Sequence, residues 1–155
     1  MDDGGAVDRI DRAILQVLSE DGRASVEKVA ERVGLSPTPV RRRIKRLEQS
    51  GVIAGYRVVI DPEKCGLDLA IYVLVTLTTG SAQMMTEFES AVKQMPEVQR
   101  CDLLAGPNCY LLSMRVKSMK CYDKYLREYL VNLPSVYAID SRFVIGQVKE
   151  TALVP

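Results

Sequence analysis

The stretch SVEKVAERVGLSPTPVRRRIKRLEQSG, which runs from Ser25 to Gly51, decides how this chain is organised. Its first part carries apolar residues at the spacing of a single helical stripe: Val26, Val29, Ala30 and Val33. Ser25 stands before this stripe, where it can cap a helix, and Gly34 stands after it, where it can end one. The pattern predicts a short helix that ends in a sharp turn.

A second helix is predicted directly after that turn. Ser36 is a preferred N-cap residue, and Pro37 falls at the first helical position, where the missing N–H of proline costs nothing. The buried stripe of this helix is formed by Val40, Ile44 and Leu47. Its other faces carry the side chains that are left free to contact a partner: Thr38, Arg41, Arg42 and Lys45.

This second helix is strongly basic. Between Ser36 and Gln49 there are five Lys or Arg residues and one acid, Glu48, so the local charge is 5 − 1 = +4. A helix whose first turn offers a hydroxyl, free backbone N–H groups and arginines can contact phosphates and base edges in a major groove. The alternative is a solvated basic face. The position of the basic run on the second helix of a turn motif favours a DNA-binding helix-turn-helix.

Length and composition limit the class of protein. The chain has 155 residues, 47% of them hydrophobic, which suffices for one medium domain or two small ones with real cores. A net charge of +1 argues against a general polyanion binder. No apolar run approaches the roughly 20 residues of a membrane span, and the N-terminal MDDGGAVDR is acidic rather than signal-like. We therefore expect a cytoplasmic protein without a membrane partner.

The cysteines and the absence of histidine exclude several kinds of site. Cys65, Cys101, Cys109 and Cys121 are spread without a CxxC pair, and no histidine is present to complete a zinc site. This composition predicts reduced thiols and no metal site. The lack of histidine also removes the commonest general base. We therefore expect no catalytic residues, no cofactor and no enzymatic activity.

The chain on either side of the motif completes a first domain and begins a second one. Asp8 can cap a helix whose buried stripe would close a three-helix core: Ile10, Ile14, Val17 and Leu18. After Gly51, the β-branched VIAGYRVVID predicts a strand, and Asp61-Pro62 and Gly66 mark a boundary. We expect a helix-turn-helix domain at residues 1–51, a strand linker at 52–66 and a second domain at 67–155.

The second domain has the predicted order β-α-β-β-α-β. Its strands are expected from Leu69, within Val98 to Lys117 with a break at Ala105 to Asn108, and from Val136 to about Lys149. One helix is expected to bury Met84, Phe88, Ala91, Val92 and Met95, and the other Tyr122, Tyr125, Leu126, Tyr129, Leu130 and Leu133. This order is that of the ferredoxin-like fold, an antiparallel sheet with both helices on one face, and the fold class is α+β.

The first strand of this domain is apolar on both faces. Leu69, Ile71, Val73, Val75 and Leu77 fill one face, and the opposite face still carries Ala70, Tyr72 and Leu74. A sheet of this kind needs a second cover, so we infer that the sheets of two copies pair in a homodimer. The alternative is a cover provided by the first domain.

Over nearly its whole length the chain resembles the Lrp/AsnC, or feast/famine, family of transcription regulators. The resemblance rests on DRIDRAILQVLSEDGRAS, VAERVGLSPTPVRRRIKRLEQSGVIAGYRVVIDPEKCG, AGPNCYLL and SRFVIGQVKETALVP. It implies a winged-type helix-turn-helix of three helices, joined by a strand linker to a ferredoxin-like domain that dimerises and binds small effectors, usually amino acids. It also implies that dimers assemble, commonly into octamers of four dimers or into tetramers and hexadecamers, and that these assemblies wrap or bend double-stranded DNA.

The resemblance also points to candidate DNA-binding residues. By position these are Ser25, Ser36, Thr38, Pro39, Arg41, Arg42, Arg43, Lys45 and Arg46. Arg41 and Arg42 are the strongest candidates for base or phosphate contacts. Arg43 and Arg46 match recurrent basic positions of the family, and salt bridges from them to Glu27 or Glu31 inside the domain are an equal alternative.

The family's effector site lies between subunits, around a Gly-x-x-Asp-Tyr loop and hydroxyl residues of the last strand. Here Cys109 replaces the loop acid, and the two last-strand positions carry Ile139 and Ser141. The candidate effector-binding residues are Leu104, Ala105, Gly106, Pro107, Asn108, Cys109, Tyr110, Tyr137 and Ser141. Main-chain groups of Ala105 to Asn108 could hold an amino acid by its charged ends. The alternative is a tight turn that binds nothing.

Three classes of function follow. The first is an effector-responsive transcription regulator, and the second is a ligand-independent architectural protein that bends DNA. The third is an enzyme, because some proteins that resemble this family decarboxylate haem precursors, but those would be expected to use histidine. A redox response of Cys101 and Cys109, which flank the loop, is a minor hypothesis.

Overall fold

The computed structural model describes residues 7–78, 81–106 and 108–149. The chain divides into two compact units: the first extends to Val59 and also includes Lys149, and the second is Ile60–Val148. Within the described residues, no helix is long and apolar enough to cross a membrane.

The first unit contains three helices, α1 (Arg9–Glu20), α2 (Val26–Val33) and α3 (Pro37–Gln49). The predicted caps are confirmed: Asp8 precedes α1 in a capping box, and the Ser25 hydroxyl accepts a hydrogen bond from a backbone N–H of α2. Gly34 adopts φ 71° after α2, a left-handed conformation that glycine adopts without steric cost. Pro37 is the first residue of α3, as predicted.

The three helices enclose one apolar core. Its buried members come from the predicted stripes: Ile14, Val17, Val29, Ala30, Val40 and Leu47. Half-buried Ile10, Leu18, Val33 and Ile44 pack around them. Asp11 is also completely buried, and it was not predicted to be.

The strand predicted in VIAGYRVVID does not form. Within residues 52–61 no backbone ladder is present, and Val58 and Val59 are 84% and 97% exposed. A strand needs a hydrogen-bonding neighbour, and this segment has none among the residues that the structure describes. A turn follows this segment: the Asp61 carboxylate accepts from the N–H of Glu63 and of Lys64, and Gly66 ends the turn at φ 72°.

The second unit contains the predicted sequence of elements. They are β1 (Leu69–Leu77), α4 (Ala82–Val92), β2 (Val98–Leu104), β3 (Cys109–Val116), α5 (Met119–Glu128), a short 3₁₀ helix (Leu130–Asn132) and β4 (Val136–Phe143). The strands form one antiparallel sheet in the order β2-β3-β1-β4. This is the ferredoxin-like arrangement, so the predicted α+β fold class is confirmed.

The core of this unit lies between the helices and one face of the sheet. Residues of α4 and α5 such as Phe88 and Tyr122 pack on Ile71, Val73, Val75, Leu112 and Met114. Three details of the prediction were wrong. Met85, not Met84, packs on the core. Tyr129 is 53% exposed because α5 ends before it. Strand β4 ends at Phe143, short of Lys149, because its ladder with β1 ends there.

The opposite face of the sheet, here called the free face, has an unusual charge pattern. One cross-strand row runs Arg100, Ser113, Tyr72 and Arg142, and the next runs Asp102, Leu111, Leu74 and Asp140. Both rows therefore have an apolar side chain near the centre, and like charges at their two ends. Within each edge strand the neighbouring charges pair, Arg100 with Asp102 at 2.6 Å and Arg142 with Asp140 at 2.7 Å.

Candidate functional site

The five basic residues of α3 fall into two groups with different surroundings. Arg41, Arg42 and Lys45 are exposed and form what we call the basic face. Among the described residues, Arg42 and Lys45 make no side-chain hydrogen bond or ion pair, and Arg41 only approaches Glu27 at 3.7 Å. Since both partners of that contact are more than 60% exposed, it contributes little.

The other two arginines of α3 are held against α1. The Nη1 of Arg43 lies 2.6 Å from Asp8 and 2.9 Å from Asp11, and Arg46 pairs with the second oxygen of Asp11. The predicted intradomain partners, Glu27 and Glu31, were therefore wrong. The acids come from α1, and the paired residues are 32 to 35 positions apart.

The ionisation of this cluster follows from its hydrogen bonds. The backbone N–H of Asp11, followed by the Arg43 guanidinium, lowers the pKa of Asp8 from 3.8 to about 2. The same acids, Asp8 first, raise the pKa of Arg43. Two arginines compensate the buried carboxylate of Asp11, which would otherwise be strongly destabilising. The sequence indicated this buried acid only by the position of Asp11, at the edge of the buried stripe of α1 and three residues before Ile14.

The remaining candidate DNA-binding residues lie around the two helix starts. The exposed Ser25 caps α2, accepting from the Lys28 N–H at 3.2 Å. Ser36 and Thr38 are exposed at the start of α3, where the Ser36 hydroxyl makes no capping hydrogen bond. Pro39 is half-buried. The start of α3 thus offers exposed hydroxyls and backbone N–H groups beside the basic face, a combination suited to phosphate.

The candidate effector residues lie in and beside the turn between β2 and β3. The N–H of Leu77 donates to the carbonyl of Asn108 at 2.9 Å, and the N–H of Thr78 donates to that of Ser135 at 2.8 Å. The turn, the end of β1 and the start of β4 therefore meet at one end of the sheet. Leu104, Ala105 and Gly106 are exposed there, as is Tyr137 of β4, while Pro107 lies outside the described residues.

The side chains of three further candidates point in different directions. Tyr110 is buried in the core, where its hydroxyl donates to Glu89 at 2.8 Å and its ring packs on Phe88. Burial, followed by that hydrogen bond, raises the pKa of Tyr110 to about 12. Ser141 faces the helices, where its hydroxyl bonds that of Tyr122. Cys109 lies on the free face, opposite Thr76.

The sheet geometry argues against a disulfide between Cys101 and Cys109. Cys101 pairs with the buried Leu112 and so faces the helices, whereas Cys109 faces the other side of the sheet. All four cysteines are free thiols. Among the described residues there is also no group of three potential metal ligands.

Comparison with known proteins agrees with this architecture. Residues 7–48 match the family model of the AsnC-type helix-turn-helix domain, and residues 70–154 match that of the Lrp/AsnC ligand binding domain. The chain is 41% identical to the leucine-responsive regulatory protein of Klebsiella pneumoniae, over 96% of this chain and 90% of that protein. It is 40% identical, with the same coverage, to the leucine-responsive regulatory protein of Escherichia coli K12.

Two solved structures that contain an amino acid are also similar. A transcriptional regulator of Neisseria meningitidis in complex with L-methionine has a TM-score of 0.92 and 33% identity, with 97% of each chain covered. The feast or famine regulatory protein of Mycobacterium tuberculosis complexed with L-methionine has a TM-score of 0.84 and 30% identity, over 97% of this chain and 100% of that one. These relatives are regulators rather than enzymes. The chain belongs to the Lrp/AsnC family of DNA-binding transcription regulators.

Proposed function

We propose that this regulator contacts double-stranded DNA through the basic face of α3. The observation that carries the proposal is the division within that helix. Arg43 and Arg46 are already neutralised by acids of α1, whereas Arg42 and Lys45 are exposed and have no acidic partner in the described parts of the chain. Phosphates and guanine edges attract cations of this kind. Ser36 and Thr38 would add hydroxyl contacts at the start of the helix.

The test is a binding measurement on promoter DNA that the protein itself selects from fragmented genomic DNA. Arg42→Ala and Lys45→Ala should each weaken DNA binding, measured by fluorescence anisotropy, and should leave the melting temperature unchanged. Lys120→Ala is the matched control, because Lys120 is exposed on α5, in the other unit. Equal affinities for all four proteins would overturn the proposed interface.

A homodimer through the free face belongs to the same proposal. The rows that end in Arg100 and Arg142 and in Asp102 and Asp140 are adjacent. A two-fold axis between two facing sheets, perpendicular to the strands, would lay each arginine row over the partner's aspartate row. An axis parallel to the strands would instead bring like charges together. Tyr72 and Leu74 would then meet apolar side chains of the second copy.

The effector we propose is an amino acid, bound between subunits at the end of the sheet that carries the β2–β3 turn. Support comes from the ligand-binding family model and from two relatives whose structures hold L-methionine. Exposed main chain at Ala105 and Gly106 could bind the charged ends of the ligand. A thermal shift with single amino acids tests this, since a ligand at 100 times its Kd stabilises by about 2.7 kcal/mol.

A ligand-independent architectural protein is the second candidate. Cys109 replaces the acid expected in the loop, and the hydroxyls of Tyr110 and Ser141 are both engaged inside the core. Intact DNA binding without any amino-acid response would favour this alternative.

The proposal includes the organisation of the whole molecule. We assign residues 1–51 to DNA binding, 52–66 to a strand linker and 67–155 to dimerisation and effector binding. Dimers would assemble further into an octamer of four dimers, and a DNA partner fits a location in the cytoplasm. The exposed Val58 and Val59 fit a linker strand that gains its neighbour only in the assembly.

A further inference from the structure

A cavity of about 420 Å³ lies between α4 and β2, on the helix side of the sheet. Among the described strands, β2 lies at the edge of the sheet, next to β3. The walls of the cavity include Glu89 and Val92 of α4, Lys93 directly after that helix, and Val98, Cys101 and Leu103 of β2.

The two charged residues of the α4 wall have different surroundings. Glu89 and Lys93 are one helical turn apart, with Cβ atoms separated by roughly 5–6 Å, and this order normally forms an i,i+4 ion pair. Here one oxygen of Glu89 instead accepts from the Tyr110 hydroxyl at 2.8 Å. Lys93 makes no side-chain hydrogen bond or ion pair with any described residue. The wall therefore presents a positioned carboxylate and a separate ammonium group.

Two more polar residues line the cavity, Gln99 and Arg100, and Arg100 is already paired with Asp102. The other side chains of the β2 wall are apolar or a thiol. Val92 is 5% exposed, and Leu103, at 55%, leaves a hydrophobic side chain accessible at the opening. Burial, followed by the charges of Asp102 and Glu89, raises the pKa of Cys101. Its thiol is therefore protonated at neutral pH and acts as a small apolar wall.

We infer that this cavity binds a zwitterionic α-amino acid with an aliphatic or thioether side chain. Its ammonium group pairs with Glu89, its carboxylate with Lys93, and its side chain packs against Val92, Cys101 and Leu103. The volume is at the lower end of the range of small-molecule sites, as a ligand of this size requires. This site is additional to the proposed effector site at the turn, although the ligand class is the same.

Calorimetry with L-leucine on the full-length protein tests the charge assignment. Leucinamide lacks the carboxylate and 4-methylpentanoate lacks the ammonium group, so each should bind at least about tenfold more weakly. Glu89→Gln, which can still accept a hydrogen bond from Tyr110, should weaken L-leucine binding by about the same factor. Lys93→Met should have an equal effect. The surface control Lys120→Met should bind like the wild type.

Cysteine alkylation shows where the ligand lies. Iodoacetamide labelling, resolved by tandem mass spectrometry, measures in one experiment the alkylation rates of Cys101 in the cavity and of Cys109 beside the turn. We expect L-leucine to slow labelling of Cys101 severalfold, and Lys93→Met to abolish that protection.

Two outcomes would overturn the inference, and they separate it from the proposed function. Leucine binding that survives Glu89→Gln and Lys93→Met but is lost in Gly106→Val, where φ is +147°, would leave only the turn site. No binding of L-leucine or L-methionine, with DNA binding intact, would remove both effector sites and leave the DNA-binding function standing.

Discussion

The carboxylate of Asp11, completely buried on α1, lies 2.9 Å from the guanidinium of Arg43 on α3. Arg46 holds the other oxygen of the same carboxylate. This contact ties the first helix of the domain to the helix that we assign to DNA. It uses two of the five basic residues of α3 for structure and so defines which of them are left for the partner.

Replacing Asp11 by asparagine should destabilise the first unit by about 2–3 kcal/mol. The loss is below the roughly 3–5 kcal/mol of a fully buried pair, because Arg46 is half exposed. Urea denaturation measures the change. Asp123→Asn, which removes the exposed pair with Arg127 on α5, should change stability by no more than about 0.5 kcal/mol. Equal losses of stability from the two substitutions would show that the buried contact stabilises the fold no more than an exposed ion pair does.

Asp8 should contribute a pH-dependent part of the stability. Its pKa is lowered in the folded state from 3.8 to about 2, so the contribution is complete above about pH 4 and is lost as the pH falls towards 2. Asp8→Asn keeps a good N-cap residue but has no charge to lose. The melting temperatures of wild type and variant should therefore differ above pH 4 and converge near pH 2. A constant difference across that range would contradict the assignment.

Leu111→Glu should convert the dimer into a monomer. Leu111 is half-buried beside Leu74, in the row of the free face that ends in Asp102 and Asp140. A second sheet would bury both leucine side chains. A carboxylate at this position would be desolvated without a partner. Sedimentation velocity measures the mass, and Val131→Glu, at a 52% exposed residue of the 3₁₀ helix, is the control. A Leu111→Glu dimer would mean that another surface holds the copies together.

Tyr110→Phe should destabilise the second unit by about 1 kcal/mol. The substitution removes the hydroxyl that donates to Glu89 but keeps the ring that packs on Phe88. Thermal or urea unfolding measures the loss. Tyr137→Phe is the matched control, since Tyr137 is 76% exposed, and it should be neutral. A neutral Tyr110→Phe would show that Glu89 is satisfied without this hydrogen bond.

Elements that are determined by residues close together in the sequence were predictable. The caps at Asp8 and Ser25 and the apolar stripes of the three helices are local signals, and they lie where they were predicted. The order of the ferredoxin-like unit follows in the same way from alternating and helical periodicities. The predicted strand after Gly51 failed because a strand depends on a neighbour, which the described part of the chain does not supply.

Side-chain partners were less predictable, because they depend on contacts between distant segments. Arg43 meets Asp8 and Asp11 only through the angle at which α1 and α3 pack. The face occupied by Ser141 is decided by its register opposite Val73, and a shift of one residue would have turned it to the free face. Its contact with Tyr122, rather than with a ligand, follows from that register.

The salt dependence of DNA binding tests the division of α3 most directly. For Arg42→Ala we predict an unchanged melting temperature and a slope of log affinity against log salt that is smaller by about one phosphate contact. For Arg43→Ala we predict a lower melting temperature and an unchanged slope at a temperature where the variant is folded. The reverse pattern, with a reduced slope for Arg43→Ala and none for Arg42→Ala, would contradict the account.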